Sequence, residues 1–182
     1  MIFSPLPLAG AYRIDPERIG DERGFFARIF CESEFAANGL STRWSQMNAS
    51  YSAQKGTLRG MHYQRPPAAE AKLVRCTRGE MLDVLVDLRQ GSPTFGQWTG
   101  VELSGQTGVM VYIPEGVAHG FQTLLPDTEV LYCHSVAYAR QHEGGLRFDD
   151  PTVGIKWPLP ITEISDRDRS HPLLSQLEPI VL

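Results

Sequence analysis

Turn-forming residues interrupt this chain along its whole length, and they limit the folds that are open to it. The 182 residues include 13 prolines and 17 glycines, without an internal repeat or a linker. Proline breaks helices and glycine weakens helix and strand interiors, so regular segments between them have to be short. The runs between them are rich in Val, Ile, Tyr, Phe and Trp, which favour strands. The predicted strands are residues 25–30, 73–76, 81–88, 98–103, 108–113 and 129–138.

Short strands separated by turn signals every roughly 10–15 residues predict an all-β sandwich or barrel. The length predicts a single domain over residues 1–182. One short helix is predicted at residues 32–38, with Ser33 at its start and Asn38-Gly39 at its end. A capped turn or second short helix is predicted at residues 165–168.

Charge and composition exclude several classes of function. The net charge of −4 and a pI of about 5.7 give no general attraction to nucleic acid or anionic lipid. No apolar run approaches the ~20 residues of a membrane span, and the N-terminus has no basic segment typical of a signal peptide. Cys31, Cys76 and Cys133 are odd in number and fit no zinc pattern. We therefore expect a cytoplasmic protein without a membrane or nucleic-acid partner.

The segment Arg59-Gly60-Met61-His62-Tyr63-Gln64 carries the strongest chemical signal. It places a cationic group and an imidazole within a strand-like run, and this combination can hold an anion and move a proton. Lys72 follows in another strand-like run, and a lysine can stabilise an enolate oxygen. Tyr132 and Tyr138 are six apart, so within one strand they would face the same side.

A second histidine lies in Pro114-x-Gly116-x-x-His119, which has the spacing of the second half of a cupin metal site. The first half of that site requires a His-x-His pair, whereas this chain reads His62-Tyr63-Gln64. One imidazole and one amide are a poor ligand set for zinc, iron or manganese. The sequence therefore predicts a cupin-like fold without a metal.

Several blocks along the chain resemble the nucleotide-sugar 3,5-epimerase family in order and spacing. They include residues 21–26, 46–50, 59–64, 72–75, 83–89, 92–96, 113–121, 149–151, 155–158 and 165–168. The resemblance implies a cupin-type jelly roll with a few short helices, which forms a homodimer by exchanging N-terminal strands. The implied substrate is a nucleoside-diphospho 4-keto-6-deoxyhexose, most commonly a dTDP-sugar. The implied reaction is epimerisation at C3, C5 or both, without a cofactor.

The resemblance also implies roles for individual residues. His62 matches the family base, and Asp168 matches the carboxylate that orients it. Lys72 matches the residue beside the enolate oxygen, Tyr132 the proton donor and Tyr138 the ring that stacks near the nucleobase. The other matched substrate contacts are Arg23, Phe26, Gln46, Asn48, Arg59, His119, Glu143 and Arg167.

The chain departs from the family pattern at two positions. Family members commonly have Glu where this chain has Arg28, at the nucleotide end of the substrate. A guanidinium only donates hydrogen bonds, so it cannot accept from the thymine N3–H but could bind cytosine acceptors. Alternatively, Arg28 pairs with Glu32 or Glu34 and has no part in base choice. Phe148 replaces a more common Trp, which we interpret as a packing substitution.

Other functions remain open on this fold. A related enzyme could epimerise a single carbon of another sugar nucleotide, such as a CDP-sugar, or could be a ketoisomerase. A non-catalytic cupin could simply bind sugar nucleotides. The presence of His62, Asp168 and Tyr132 together argues against ketoisomerisation and against a catalytically silent module, but does not separate C3 from C5.

Overall fold

Two antiparallel sheets form the body of the molecule, which is described here for residues 1–182 by a computed structural model. The first sheet has six strands and the second has five, while a separate hairpin forms a two-stranded sheet. This arrangement confirms the predicted all-β, cupin-type jelly roll. No helix in the structure is long and apolar enough to cross a membrane.

The strands are short, as the proline and glycine spacing predicts. In chain order they are β1 (Ile2–Pro5), β2 (Tyr12–Asp15), β3 (Arg18–Asp21), β4 (Gly24–Ala27), β5 (Gln46–Ser52), β6 (Leu58–Gln64), β7 (Lys72–Arg78), β8 (Glu80–Asp87), β9 (Trp98–Ser104), β10 (Met110–Ile113), β11 (Val117–Thr123), β12 (Thr128–His134) and β13 (Glu143–Gly145). The helices are α1 (Glu32–Ala37) and α2 (Asp166–Arg169), with 3₁₀ turns at Arg140–His142 and Leu174–Gln176.

The sheets are ordered β1-β2-β10-β7-β12-β5 and β13-β6-β11-β8-β9. Their facing sides share one core cluster, in which Val74 and Val111 of the first sheet meet Leu85 and Phe121 of the second. A second cluster covers the outer face of the five-stranded sheet, where Leu174 packs beside strands β6, β8 and β11. Strand β11 is therefore buried along its whole length, because both of its faces are covered.

Several sequence predictions about element ends were wrong. The strand predicted at residues 25–30 ends at Ala27, and the strand predicted at residues 108–113 begins at Met110. The strand predicted at residues 129–138 ends at His134, so Tyr138 lies in the following loop and does not share a strand face with Tyr132. Helix α1 begins at Glu32 with Cys31 at its N-cap, and Ser33 lies inside its first turn. At these boundaries the local residue pattern was too weak a signal to locate where the strand or helix begins or ends.

Strands β6 and β11 approach closely where two glycines meet. A Cβ atom on Gly60 would lie 2.5 Å from the Cα of Gly120, so neither backbone leaves space for a side chain there. The ladder shifts register at this point, between the pairs of His119 and Phe121. Arg59 and His62 consequently line the same cavity although they are three residues apart.

Candidate active site

Strands from both sheets and the tail around α2 enclose a cavity of about 560 Å³. Most of its lining residues are not hydrophobic, and most of the side chains that the sequence singles out for acid–base chemistry reach it. The predicted site residues in the lining are Asn48, Arg59, His62, Lys72, His119, Tyr132, Arg167 and Asp168.

His62 and Asp168 form a hydrogen-bonded dyad in this cavity. The His62 Nε2 and Asp168 Oδ1 atoms are 2.7 Å apart, although the residues are 106 positions apart in the chain. Because Nε2 is engaged by the carboxylate, Nδ1 carries the free lone pair of the neutral ring and makes no hydrogen bond. The arrangement is that of a base held in one tautomer by an acid group.

Asp168 is almost fully buried in the first turn of α2, where the hydroxyl of Ser165 accepts from its backbone N–H at 3.1 Å. Burial alone would raise the pKa of this carboxyl, but the contacts with His171 and His62 outweigh burial and hold the pKa well below its usual range. The backbone N–H of Gly60 also donates to Oδ2 at 3.0 Å. Asp168 is therefore ionised and can stabilise a protonated His62.

Lys72 approaches the cavity from β7 and is nearly completely buried. Its Nζ donates to the backbone carbonyl of His62 at 3.4 Å and lies 3.3 Å from Oε1 of Glu70. A buried ammonium needs such a partner, because its desolvation is otherwise costly. The lysine thus stands beside the dyad as a paired cation.

Tyr132 lines the cavity from strand β12 of the six-stranded sheet, whereas α2 packs beside β6 of the five-stranded sheet. Its hydroxyl is 2.9 Å from the hydroxyl of Ser50, and its ring packs edge-on against His119 at a centroid distance of 6.0 Å. Burial raises the pKa of the Tyr132 phenol well above its usual value. The phenol therefore stays protonated at rest and gives up its proton only to a strongly basic group.

The cupin metal positions are engaged in other contacts. His119 Nε2 is 2.6 Å from Asp83 Oδ1, and both side chains are buried. Gln64 donates to the backbone carbonyl of Ala68 at 3.0 Å and accepts from the backbone of Ala139. The amide is therefore part of a loop contact and does not complete a ligand set with His62 and His119.

A different trio has metal-ligand spacing. Ligand atoms of His62, Asp168 and His171 lie within 4.8 Å of one another. However, the 2.7 Å separation of His62 and Asp168 is that of a direct hydrogen bond, which two ligands of one tetrahedral ion do not make. The metal-free prediction remains a prediction that chelation can test.

Three predicted substrate contacts, Tyr138, Glu143 and Arg167, form a cluster at the edge of the cavity. Glu143 accepts from the Tyr138 hydroxyl at 2.7 Å and pairs with Arg167 at 2.5 Å. Gln46 accepts from the backbone N–H of Tyr138 at 3.0 Å, which connects this cluster to Asn48 on the cavity wall. Tyr138 is half exposed, so its ring is free to pack against a ligand.

Comparison with known proteins decides the family. The family model for dTDP-4-dehydrorhamnose 3,5-epimerase matches residues 5–176. The chain is also 46% identical over 178 residues to the dTDP-4-dehydrorhamnose 3,5-epimerase of Sinorhizobium fredii, which covers 97% of this chain and 91% of the relative. This chain belongs to the dTDP-4-dehydrorhamnose 3,5-epimerase family.

Solved structures of the family superpose closely. A dTDP-6-deoxy-D-glucose-3,5-epimerase from Legionella pneumophila in complex with dTDP-4-keto-L-rhamnose has a TM-score of 0.91 and 38% identity, covering 97% of this chain and 94% of that chain. A 3′-monoepimerase from Streptomyces bikiniensis in complex with dTDP-quinovose has a TM-score of 0.87 and 38% identity, covering 94% and 86%. Equal identity to both shows that overall similarity does not distinguish one inverted carbon from two.

Three predicted substrate contacts of the epimerase family lie outside this cavity. Arg23, Phe26 and Arg28 belong to the hairpin of β3 and β4 or follow it directly. Arg28 donates to Glu34 at 2.7 Å, which is one of the two pairings considered from the sequence. Within a single chain these residues do not join the dyad, so their role in binding stays a prediction.

The structure also brings residues to the site that the sequence analysis did not single out. His134 has a recognisable signal, because it is two residues after Tyr132 in a strand and so shares its face. Glu70 precedes Lys72 by two residues but lies before β7 begins, so strand periodicity does not place it. Asp83 gave no local signal, since its partner His119 is 36 residues away in the chain. His171 follows Asp168 by three residues, and this short spacing was the available signal.

Proposed function

We propose that this chain is a cofactor-independent dTDP-4-dehydrorhamnose 3,5-epimerase. The observation that carries the proposal is the placement of a His62–Asp168 base and the buried phenol of Tyr132 in one cavity, with Lys72 between the two sheets beside them. The names of its relatives support a dTDP-linked 4-keto-6-deoxyhexose as substrate.

In the proposed mechanism, Nδ1 of His62 removes the proton from a carbon next to the C4 ketone. The electron pair of the broken C–H bond moves to the C4 oxygen and gives an enolate, which the ammonium of Lys72 stabilises. Tyr132 then delivers a proton to the opposite face of the same carbon, and the double bond returns to C4–O. Proton exchange with solvent restores both groups, so the reaction is redox-neutral.

Two arginines at the cavity account for binding of an anionic substrate by an acidic protein. Arg59 is anchored by Ser52 and the backbone carbonyl of Tyr51, and Arg167 is held by Glu143. Each leaves guanidinium N–H groups for a diphosphate, whose oxyanions suit a planar fork. Only the pocket has to be positive, whatever the net charge.

The proposed active form is a homodimer in the cytoplasm. Ile19 and Phe26 are cross-strand neighbours on the β3–β4 hairpin, and both are about 70% exposed, at 73% and 70%. Large apolar side chains are normally buried against another surface. If the hairpin docks beside the cavity of a partner subunit, Arg23, Phe26 and Arg28 would lie next to the substrate in that cavity. All three cysteines are free thiols, in keeping with a reducing compartment.

Incubation with dTDP-4-keto-6-deoxyglucose in deuterated water tests the proposal. We expect deuterium at both C3 and C5 and a product inverted at both carbons. Deuterium at one carbon alone would instead support an enzyme that epimerises a single carbon. Absence of deuterium uptake would rule out the epimerase proposal. A parallel sample treated with chelator should exchange at the same rate, because no step uses a metal.

A further inference from the structure

A second carboxylate, Glu70, lies beside the cavity and connects two parts of it. Its Oε2 is 2.8 Å from Nδ1 of His134, and its Oε1 is 3.3 Å from Nζ of Lys72. The Glu70 side chain is only 8% exposed. Burial raises the pKa of this carboxyl, but the contacts with His134 and Lys72 outweigh burial and the pKa is lowered. Glu70 is therefore an anion between two cavity-lining residues.

A directed chain of hydrogen bonds runs from the Tyr138 backbone N–H to this carboxylate. The Tyr138 backbone N–H donates to Gln46 Oε1 at 3.0 Å, so the amide nitrogen of Gln46 faces Asn48 and donates to its Oδ1 at 3.2 Å. The amide nitrogen of Asn48 then lies 3.4 Å from Nε2 of His134. For each group in the chain, only one assignment of donor and acceptor atoms forms hydrogen bonds with both neighbours.

This chain assigns the tautomer of His134. Since Nε2 accepts from Asn48, the ring proton is on Nδ1 and is donated to Glu70. Strand register explains the assembly, because His134 is paired with Gln46 on one side and with Lys72 on the other. Glu70 stabilises this tautomer, because its carboxylate accepts the Nδ1–H proton.

We propose that Glu70 is a positioning residue of the epimerase, which holds Lys72 at the ketone end and, through the Nδ1–H tautomer of His134, orients Asn48 and Gln46 at the nucleotide end. The assignment of the two ends rests on the proposed function. The hydrogen-bond chain itself rests only on the geometry. Glu70 would thereby couple catalysis to nucleotide binding without touching the substrate.

The variant Glu70→Gln tests this role with almost no change of shape. The carboxamide oxygen is expected to stay with the charged Lys72, because charge-assisted bonds are stronger, and its NH₂ then faces His134. His134 must accept there, so its proton moves to Nε2 and Asn48 loses its acceptor. We expect kcat/KM to fall about ten- to hundredfold, the usual effect of losing a bond to a charged group.

Two measurements are needed on ¹⁵N-histidine-labelled protein. Imidazole ¹⁵N shifts, assigned with a His134→Gln sample, should show Nδ1–H in wild type and Nε2–H in Glu70→Gln. Steady-state kinetics should show the loss in kcat/KM, while Glu102→Gln, at an exposed residue of β9 without an ion pair, should match wild type. An unchanged tautomer, or a kcat/KM within threefold of wild type, overturns the proposal.

A second pair of variants decides the question if Glu70→Gln does not fold. His134→Gln can still donate to Glu70 and accept from Asn48, whereas His134→Leu can do neither. His134→Gln should be at least fivefold more active, mainly through a lower KM, and equal activities would overturn the inference. A wild-type protein that does not turn over the substrate overturns the proposed function, and the tautomer measurement then shows separately whether the hydrogen-bond chain is correct.

Discussion

The cavity and the β3–β4 hairpin differ in how many of their side chains find a partner or a covering surface within the same chain. In the cavity, three imidazoles each have a carboxylate partner, and Lys72 is 6% exposed yet paired. On the hairpin, Ile19 and Phe26 project into solvent and Arg23 contacts only the adjacent Asp21. The cavity is preorganised within one chain, whereas the apolar side chains of the hairpin have no cover within it, as the proposed homodimer requires.

This difference separates two kinds of functional residue. Side chains held by buried carboxylates are fixed before substrate arrives, which is what acid–base catalysis requires. In the proposed homodimer, the hairpin side chains are positioned by association. We therefore expect substitutions in the cavity to reduce the chemical step directly, and substitutions on the hairpin to act through assembly.

The largest effect is expected for His62→Asn, which removes the base of the dyad. Deuterium exchange at both C3 and C5 should fall by about two to four orders of magnitude, the usual contribution of a general base. Exchange can be followed by NMR in deuterated water, with circular dichroism to show that the fold is kept. A mutant within tenfold of wild type would rule out His62 as the base.

The coupling of His62 to Asp168 sharpens that result. If Asp168 acts only by orienting His62, the double variant His62→Asn/Asp168→Asn should be no slower than His62→Asn alone. Additive losses would assign Asp168 a separate task. Asp166→Asn is the matched control, because Asp166 lies in the same helix turn but is exposed.

Tyr132→Phe should have the next largest effect and a different signature. The base remains, so solvent exchange should persist within about tenfold, while formation of the inverted product should fall about a hundredfold because proton delivery from the opposite face is lost. Product configuration measured beside deuterium uptake separates the two steps. Inversion at the wild-type rate would assign proton delivery to another residue.

The sequence could predict features that have a local signal, but not those that depend on contacts between distant residues. The all-β class followed from Gly and Pro spacing, and the Ser165 cap of α2 from a local signal. Tyr138 was misplaced because the end of β12 depends on pairing with β5 and β7, not on its own residues. Glu70 and His134 form a contact between side chains 64 residues apart, and periodicity cannot detect such pairs.

On the hairpin, the double variant Ile19→Ser/Phe26→Ser tests dependence on a partner. Each large apolar side chain contributes about 1.5–3 kcal/mol when it is buried, so the dimer dissociation constant should rise by about two orders of magnitude or more. Sedimentation velocity measures the assembly, and specific activity should fall about tenfold only at dilute concentrations. Val181→Ser, which is equally exposed in the C-terminal tail, should change neither. Unchanged sedimentation would mean that the hairpin is not the interface.

Arg28→Glu is expected to have the smallest effect. It tests whether a residue that directly follows the hairpin contributes to the binding site in the cavity. Arg28 is an exposed residue that already pairs with Glu34, and exposed pairs contribute at most about 1 kcal/mol. We expect the ratio of dissociation constants for dTDP and CDP, measured by calorimetry on the dimer, to change less than threefold. If Arg28 instead reaches the nucleobase in a partner's cavity, removing a donor that cannot satisfy the thymine N3–H should favour dTDP by about fivefold or more, since an unpaired buried donor costs about 1–3 kcal/mol. A shift of that size would place Arg28 within the binding site and would show that the hairpin supplies base selectivity as well as a contact surface.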